Sequence, residues 1–172
     1  MTEDKTRSDG WPAHRVTGVD VWPYRILDGT AEFLLLHRSG RDGVPFWQGV
    51  SGWIQAGEAP HHAALRELRE ETGLEALELY GVDAVFDLYA WRRGTVDAIV
   101  PFAARVAPDA APRLSEEHDE WRWASPGEAL QQVPYEPQRA ALRRISADLL
   151  ERPELAQLYR ISPPPEAPEK SR

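Results

Sequence analysis

Across residues 16–27 (V-T-G-V-D-V-W-P-Y-R-I-L) apolar and polar positions roughly alternate. That is the two-residue period of a half-buried strand, with Pro23 expected to bend or end it. Asp28-Gly29 reads as a turn and residues 31–37 (A-E-F-L-L-L-H) as a buried strand, so the two strands form a hairpin. A polar loop follows over 39–45. Residues 46–54 are apolar and aromatic but interrupted by Gly49 and Gly52, which predicts short strands meeting at a turn. Pro60 and Gly73 then punctuate a helix at its start and its end. Residues 79–89 and 95–106 read as two strands around a turn at 91–94, the second an edge or bulged strand because of Pro101. A proline-spaced acidic loop covers 108–119. Trp121 and Trp123 share one side of a short strand, Ser125-Pro126-Gly127-Glu128 opens a helix, and residues 136–151 carry helical apolar spacing. This order predicts an α/β fold in which a mixed β-sheet is sandwiched between α-helices. The predicted domain spans 13–161, between a polar segment at 1–12 and a proline-rich tail at 162–172.

Composition narrows the class. With 42% hydrophobic residues and 7 Trp, 5 Tyr and 4 Phe among 172, the chain can build a core. Twenty Lys+Arg against 28 Asp+Glu leave a net charge of −8, which removes the usual electrostatic footing for nucleic acid. The absence of Cys excludes disulfides, thiolate metal sites and a Cys nucleophile. No apolar run is long enough to span a bilayer, and the first ten residues lack a signal core, so a cytoplasmic protein without membrane partners is expected.

The helix between Pro60 and Gly73 carries the chemistry. At about 100° per residue, Glu67, Glu70 and Glu71 fall on one arc, while Ala64, Leu65 and Leu68 form the packing face. Arg66 can pair with Glu70 four residues on and touch Glu67. Three carboxylates near a helix C-terminus repel one another and oppose the helix dipole. A hard divalent cation such as Mg²⁺, or Mn²⁺ in its place, removes both penalties. Glu-rich helices are more often only solvated faces, so the weight rests on the spacing.

That spacing, Gly52-x5-Glu58-x7-Arg66-Glu67-Leu68-x-Glu70-Glu71-x-Gly73-Leu74, resembles the Nudix box, here residues 52–74. Nine such positions match by chance on the order of once in a billion starts. The resemblance implies the Nudix fold and Mg²⁺-dependent hydrolysis of a substrate built on a nucleoside diphosphate. It implies that Glu67, Glu70 and Glu71 bind metal, that Glu58 supports them, that Arg66 orients them, and that Ser51 offers a carbonyl. Many members have glycine where Ser51 stands. Phe46-Trp47-Gln48, Arg38, and Glu117-His118 followed by Trp121-Arg122-Trp123 are similar to the group that cleaves dATP or dihydroneopterin triphosphate to monophosphate and pyrophosphate. That likeness makes a nucleotide or pterin triphosphate the expected partner and Glu117 a further metal ligand or base, beside Glu67. Arg38 and Gln48 would touch substrate, and Trp47, Trp53 and Trp91 offer faces for a base or pterin ring. His61, His62 and His118 are expected to be incidental. Other substrates of the same box (sugar nucleotide, dinucleoside polyphosphate, oxidised nucleotide, capped RNA) and a sensor domain without turnover stay open as alternatives.

Overall fold

The structure, a computed structural model, describes residues 14–39 and 43–161. The segment 1–12, the tail 162–172 and the centre of the 39–45 loop lie outside the described residues. A β-hairpin comes first among the described residues, β1 (His14–Leu27) and β2 (Thr30–Arg38), followed by short β3 (Phe46–Gln48) and β4 (Val50–Trp53) and helix α1 (Pro60–Thr72). Then come β5 (Glu78–Gly81), β6 (Phe86–Ala90), β7 (Thr95–Arg105), β8 (His118–Ala124), α2 (Pro126–Gln132), α3 (Glu136–Ile145), α4 (Pro153–Tyr159) and β9 (Arg160–Ile161). Among the described residues nine strands form one mixed sheet, with the path β3-β2-β1-β7-β5-β9 and β4, β6 and β8 attached to β1, β7 and β2. Among the described residues only the β1–β7 pair is parallel.

Strand alternation divides the apolar residues between two helix layers. Val19, Val21, Leu34, Leu36 and Val50 pack with Leu65 and Leu68 of α1 on one face. On the other, Trp22, Phe33 and Leu35 pack with Ala129 of α2 and Ala141, Leu142 and Ile145 of α3. Among the described residues no helix is long and apolar enough to cross a membrane.

Both prolines in the sheet occupy gaps in the ladder, and this corrects two sequence expectations. Pro23 neither ends nor edges β1, because residues 18–21 pair β4 and 24–27 pair β2, so the missing N–H falls where the antiparallel partner changes. Likewise β7 is central. It pairs β6 over 95–99 and β5 over 102–105, with Pro101 between. The expected single strand over 79–89 is therefore two, kinked at 82–85 where Val82 N–H donates to the Pro101 carbonyl at 3.3 Å. The helix expected over 136–151 leaves α geometry after Ile145 and continues as a π-helical turn, Ser146–Leu150, where Ser146 Oγ donates back to the Leu142 carbonyl at 2.9 Å.

One buried acid makes the fold sensitive to pH. Asp20 on β1 is 7% exposed and hydrogen-bonded by Gln138 of α3, and burial pushes its pKa up to about 6. Below the carboxyl's unfolded pKa the native state holds it neutral at no charge penalty. As pH rises through about 6 the native state must bury the charge, and stability is lost. Asp20→Asn is therefore expected to stabilise the protein at pH 8 by about 2–3 kcal/mol and to be neutral near pH 4. Denaturant unfolding at the two pH values checks this; an equal gain at both would assign the effect to packing.

Candidate functional site

Helix α1 is delimited by local chemistry. Pro60 stands in its first turn, and Gly73 closes it at φ 68° while donating to the Arg69 carbonyl. Its buried side includes Ala63, Ala64, Leu65, Leu68 and Thr72, which locks the rotation of the helix. Glu67 is thereby turned onto Gly52 of β4 and Glu71 toward His118 at the start of β8, while Glu70 stays at the solvent edge beside Arg66.

Arg66 organises the first group of acids. Its Nε donates to Glu58 Oε1 at 2.8 Å, Nη1 donates to Glu67 Oε1 at 2.7 Å and Glu70 Oε2 at 3.1 Å, and Nη2 donates to Glu58 Oε2 and the Trp53 carbonyl, both at 2.9 Å. Glu58 also accepts from the Gln55 amide at 2.9 Å. These bonds hold the Glu58 carboxyl below its ordinary pKa. At Glu67 burial outweighs Arg66 and raises the pKa. Gly52 is required here by close approach. A Cβ on it would stand 2.0 Å from Glu67 Cδ and 2.2 Å from Oε1.

Glu71 forms a second, more buried group. Its pKa is pushed up to about 9, first by desolvation, then by the charges of Glu67 and Glu117, with Arg38 and the Ser51 backbone working against the shift. Its Oε2 is buried and has no hydrogen-bond partner, with His118 Nε2 3.8 Å away. Gln48 Nε2 lies 3.3 Å from the same imidazole nitrogen. Burial lowers the His118 pKa, against the pull of Glu117 and Asp119. Arg38 at the end of β2 faces Glu117 at 3.7 Å, both side chains open to solvent.

The residues singled out from sequence separate into those brought together and those not. Arg66, Glu58, Glu67, Glu70 and Glu71 converge with Ser51 and Gly52, and Arg38, Gln48 and Glu117 border them. Trp47 does not join. Leu36 pairs Gln48 and His37 pairs Trp47, so the pleat sends these neighbours to opposite faces. Trp47 packs on the second core, with the Arg122 guanidinium 4.4 Å above its ring. The two-residue strand period already excluded placing Trp47 and Gln48 on one face. Trp53 stays half-exposed and Trp91 largely exposed, while His61 and His62 pack on each other in the first turn of α1. His118, expected to be incidental on a loop, instead starts β8 and is buried against Glu71. No local pattern marks it, because its burial comes from β2, β3 and α1 together.

Among the described residues no three acidic or histidine side chains stand close enough to hold a metal ion as they lie. The donor set nevertheless suits a divalent cation. The buried, unpartnered Glu71 oxygen and the mutual repulsion of Glu67, Glu71 and Glu117 are what a hard cation among carboxylates relieves.

The chain is similar to known proteins over most of its described length. The NUDIX domain model matches residues 16–149. An octanoyltransferase from Myxococcus xanthus is 35% identical over 151 residues, 84% of this chain but 40% of that protein, so the chain spans less than half of that relative's length. The asymmetrical bis(5'-nucleosyl)-tetraphosphatase of Rattus norvegicus is 36% identical over 121 residues, 69% of this chain and 81% of its own. A solved Ap4A hydrolase binary complex from C. elegans superposes with a TM-score of 0.66 at 28% identity, covering 78% of this chain and 97% of that one.

Proposed function

The chain belongs to the NUDIX domain family, and from that premise we propose that it is a metal-dependent hydrolase of a dinucleoside tetraphosphate, cleaved asymmetrically. The observation that carries the hydrolase reading is the buried Glu71 carboxylate with an unpartnered oxygen beside the Arg66-ordered glutamates. The tetraphosphate follows from likeness to the tetraphosphatase and the Ap4A hydrolase. A nucleoside or pterin triphosphate is the second reading, favoured by the Phe46-Trp47-Gln48 and Glu117-His118 motifs.

Glu67, Glu70 and Glu71 would hold Mg²⁺ or Mn²⁺, with Glu58 behind them and the Ser51 carbonyl beside them. A bound divalent cation neutralises charge building on the phosphate oxygens and lowers the pKa of water. Arg66 keeps the carboxylates aimed, and Glu67 receives the proton of the attacking water. Phosphoryl transfer asks for positioning and charge compensation more than covalent help, which suits a site made of carboxylates on a rigid helix.

Product analysis with Mg²⁺ tests the substrate. Release of a nucleoside triphosphate plus a monophosphate from the dinucleotide supports the first reading. Pyrophosphate released from dATP, with the dinucleotide untouched, supports the second. Stability tests the metal. Mn²⁺ at about 100 times its Kd is expected to stabilise the wild type by about 2.7 kcal/mol. The Glu70→Gln, Glu71→Gln double variant should show no such rise in Tm. An equal response in both proteins removes these residues as ligands.

A further inference from the structure

We infer that Arg93, in the turn between β6 and β7 and clamped by buried Asp97 against Trp53, binds the far phosphates of the substrate and selects for a long phosphate chain. This rests on the polyphosphate reading above and adds a residue that the box does not contain.

The cation inside the carboxylate cluster is committed. Arg66 places all three guanidinium nitrogens on Glu58, Glu67, Glu70 and the Trp53 carbonyl, leaving it aimed at protein rather than ligand. Arg38 stands beside Glu117 at the other border. A chain of phosphates, each carrying a negative charge, needs a further cation where it leaves the carboxylates.

Arg93 is built for that position. Its guanidinium lies 4.7 Å above the Trp53 ring. Trp53 directly follows Gly52, against which Glu67 packs, and its carbonyl anchors Arg66. The same guanidinium donates through Nη2 to Asp97 Oδ2. Asp97 is 1% exposed, and its other oxygen accepts from Thr95 Oγ1 at 3.0 Å. Desolvating a carboxylate beneath an exposed turn is costly, and an apolar side chain would hold the hairpin as well. What the carboxylate adds is a fixed guanidinium. The Arg93 side chain remains 41% exposed, and among the described residues no other hydrogen bond uses its nitrogens. A planar, permanently charged donor held in place by a buried acid and an indole ring is suited to bidentate contact with phosphate oxygens.

Binding of uncleavable ligands tests this independently of turnover. Titration calorimetry with Mg²⁺ would compare methylene-bridged dinucleoside tetraphosphate and triphosphate analogues. Wild type should favour the tetraphosphate, and Arg93→Gln should weaken that ligand about 10–100-fold while leaving the triphosphate nearly unchanged. Arg93→Lys should restore part of the loss, and Asp97→Asn should mimic Arg93→Gln because the guanidinium is no longer held. A variant that weakens both ligands equally makes the turn merely structural and overturns the inference, as does an unchanged ratio or a wild type that binds neither. Failure of the wild type to hydrolyse the natural dinucleotide would remove the tetraphosphatase reading and leave this binding comparison standing.

Discussion

Glu67→Gln is expected to lower kcat by about 10²–10⁴-fold with KM little changed, the size of effect that loss of a general base produces. The amide is isosteric, keeps an oxygen to accept from Arg66 Nη1, and does not crowd Gly52, so the fold and the ground-state complex should survive. What it loses is proton affinity and one charge toward the metal, the second of which saturating Mg²⁺ offsets. Glu67 is held at 2.7 Å by Arg66 on a helix whose packing face is buried, whereas the Glu117 side chain is 62% exposed at the border of the site. A rigid element positions a carboxylate better than a loop does. Glu117→Gln should therefore cost less, about 10–100-fold, as a supporting contact. Steady-state kinetics of both variants at saturating Mg²⁺ decide the assignment. A near wild-type Glu67→Gln enzyme with a crippled Glu117→Gln enzyme would move the base to the loop.

Gly52→Ala is expected to be nearly as severe although it removes no functional group. The added methyl would sit 2.0 Å from Glu67 Cδ and 2.5 Å from Cγ, so the carboxylate must swing away by more than an ångström or β4 must shift. Misplacement on that scale costs on the order of 100-fold in rate, and the overpacking costs about 1–3 kcal/mol of stability. Gly127→Ala is the matched control, because nothing lies within 4 Å of its added Cβ. Measuring kcat and Tm for the pair separates displacement of Glu67 from a general glycine effect. Unchanged activity in Gly52→Ala would mean that the position of Glu67 is not critical.

Where sequence reading succeeded, the controlling interactions are short-range. Pro60 and Gly73 bound α1 because a missing N–H suits a helix start and a left-handed residue suits its end. Asp28-Gly29 closes the hairpin with two positive φ angles. Ser125 and Glu128 cap α2 reciprocally, three residues apart. The box glutamates share an arc for the same reason, since helical pitch alone puts them there.

Where it fell short, the missing information is which element lies opposite. Pro101 suggested an edge, but β7 is central because β5 and β6 leave a gap at that residue. Trp47 and Gln48 are adjacent in a motif expected to touch substrate, and the pleat parts them.

The helix, its three aligned glutamates and the arginine able to reach them follow from local sequence, because periodicity and capping act within a few residues. Tertiary contacts alone bury Glu71 with one unpartnered oxygen, set His118 beside it and Gln48 against His118, make room for Glu67 at Gly52, and hold Arg93 on Trp53 through Asp97. Desolvation and close approach depend on atoms brought from distant parts of the chain, and no pattern confined to one element records them.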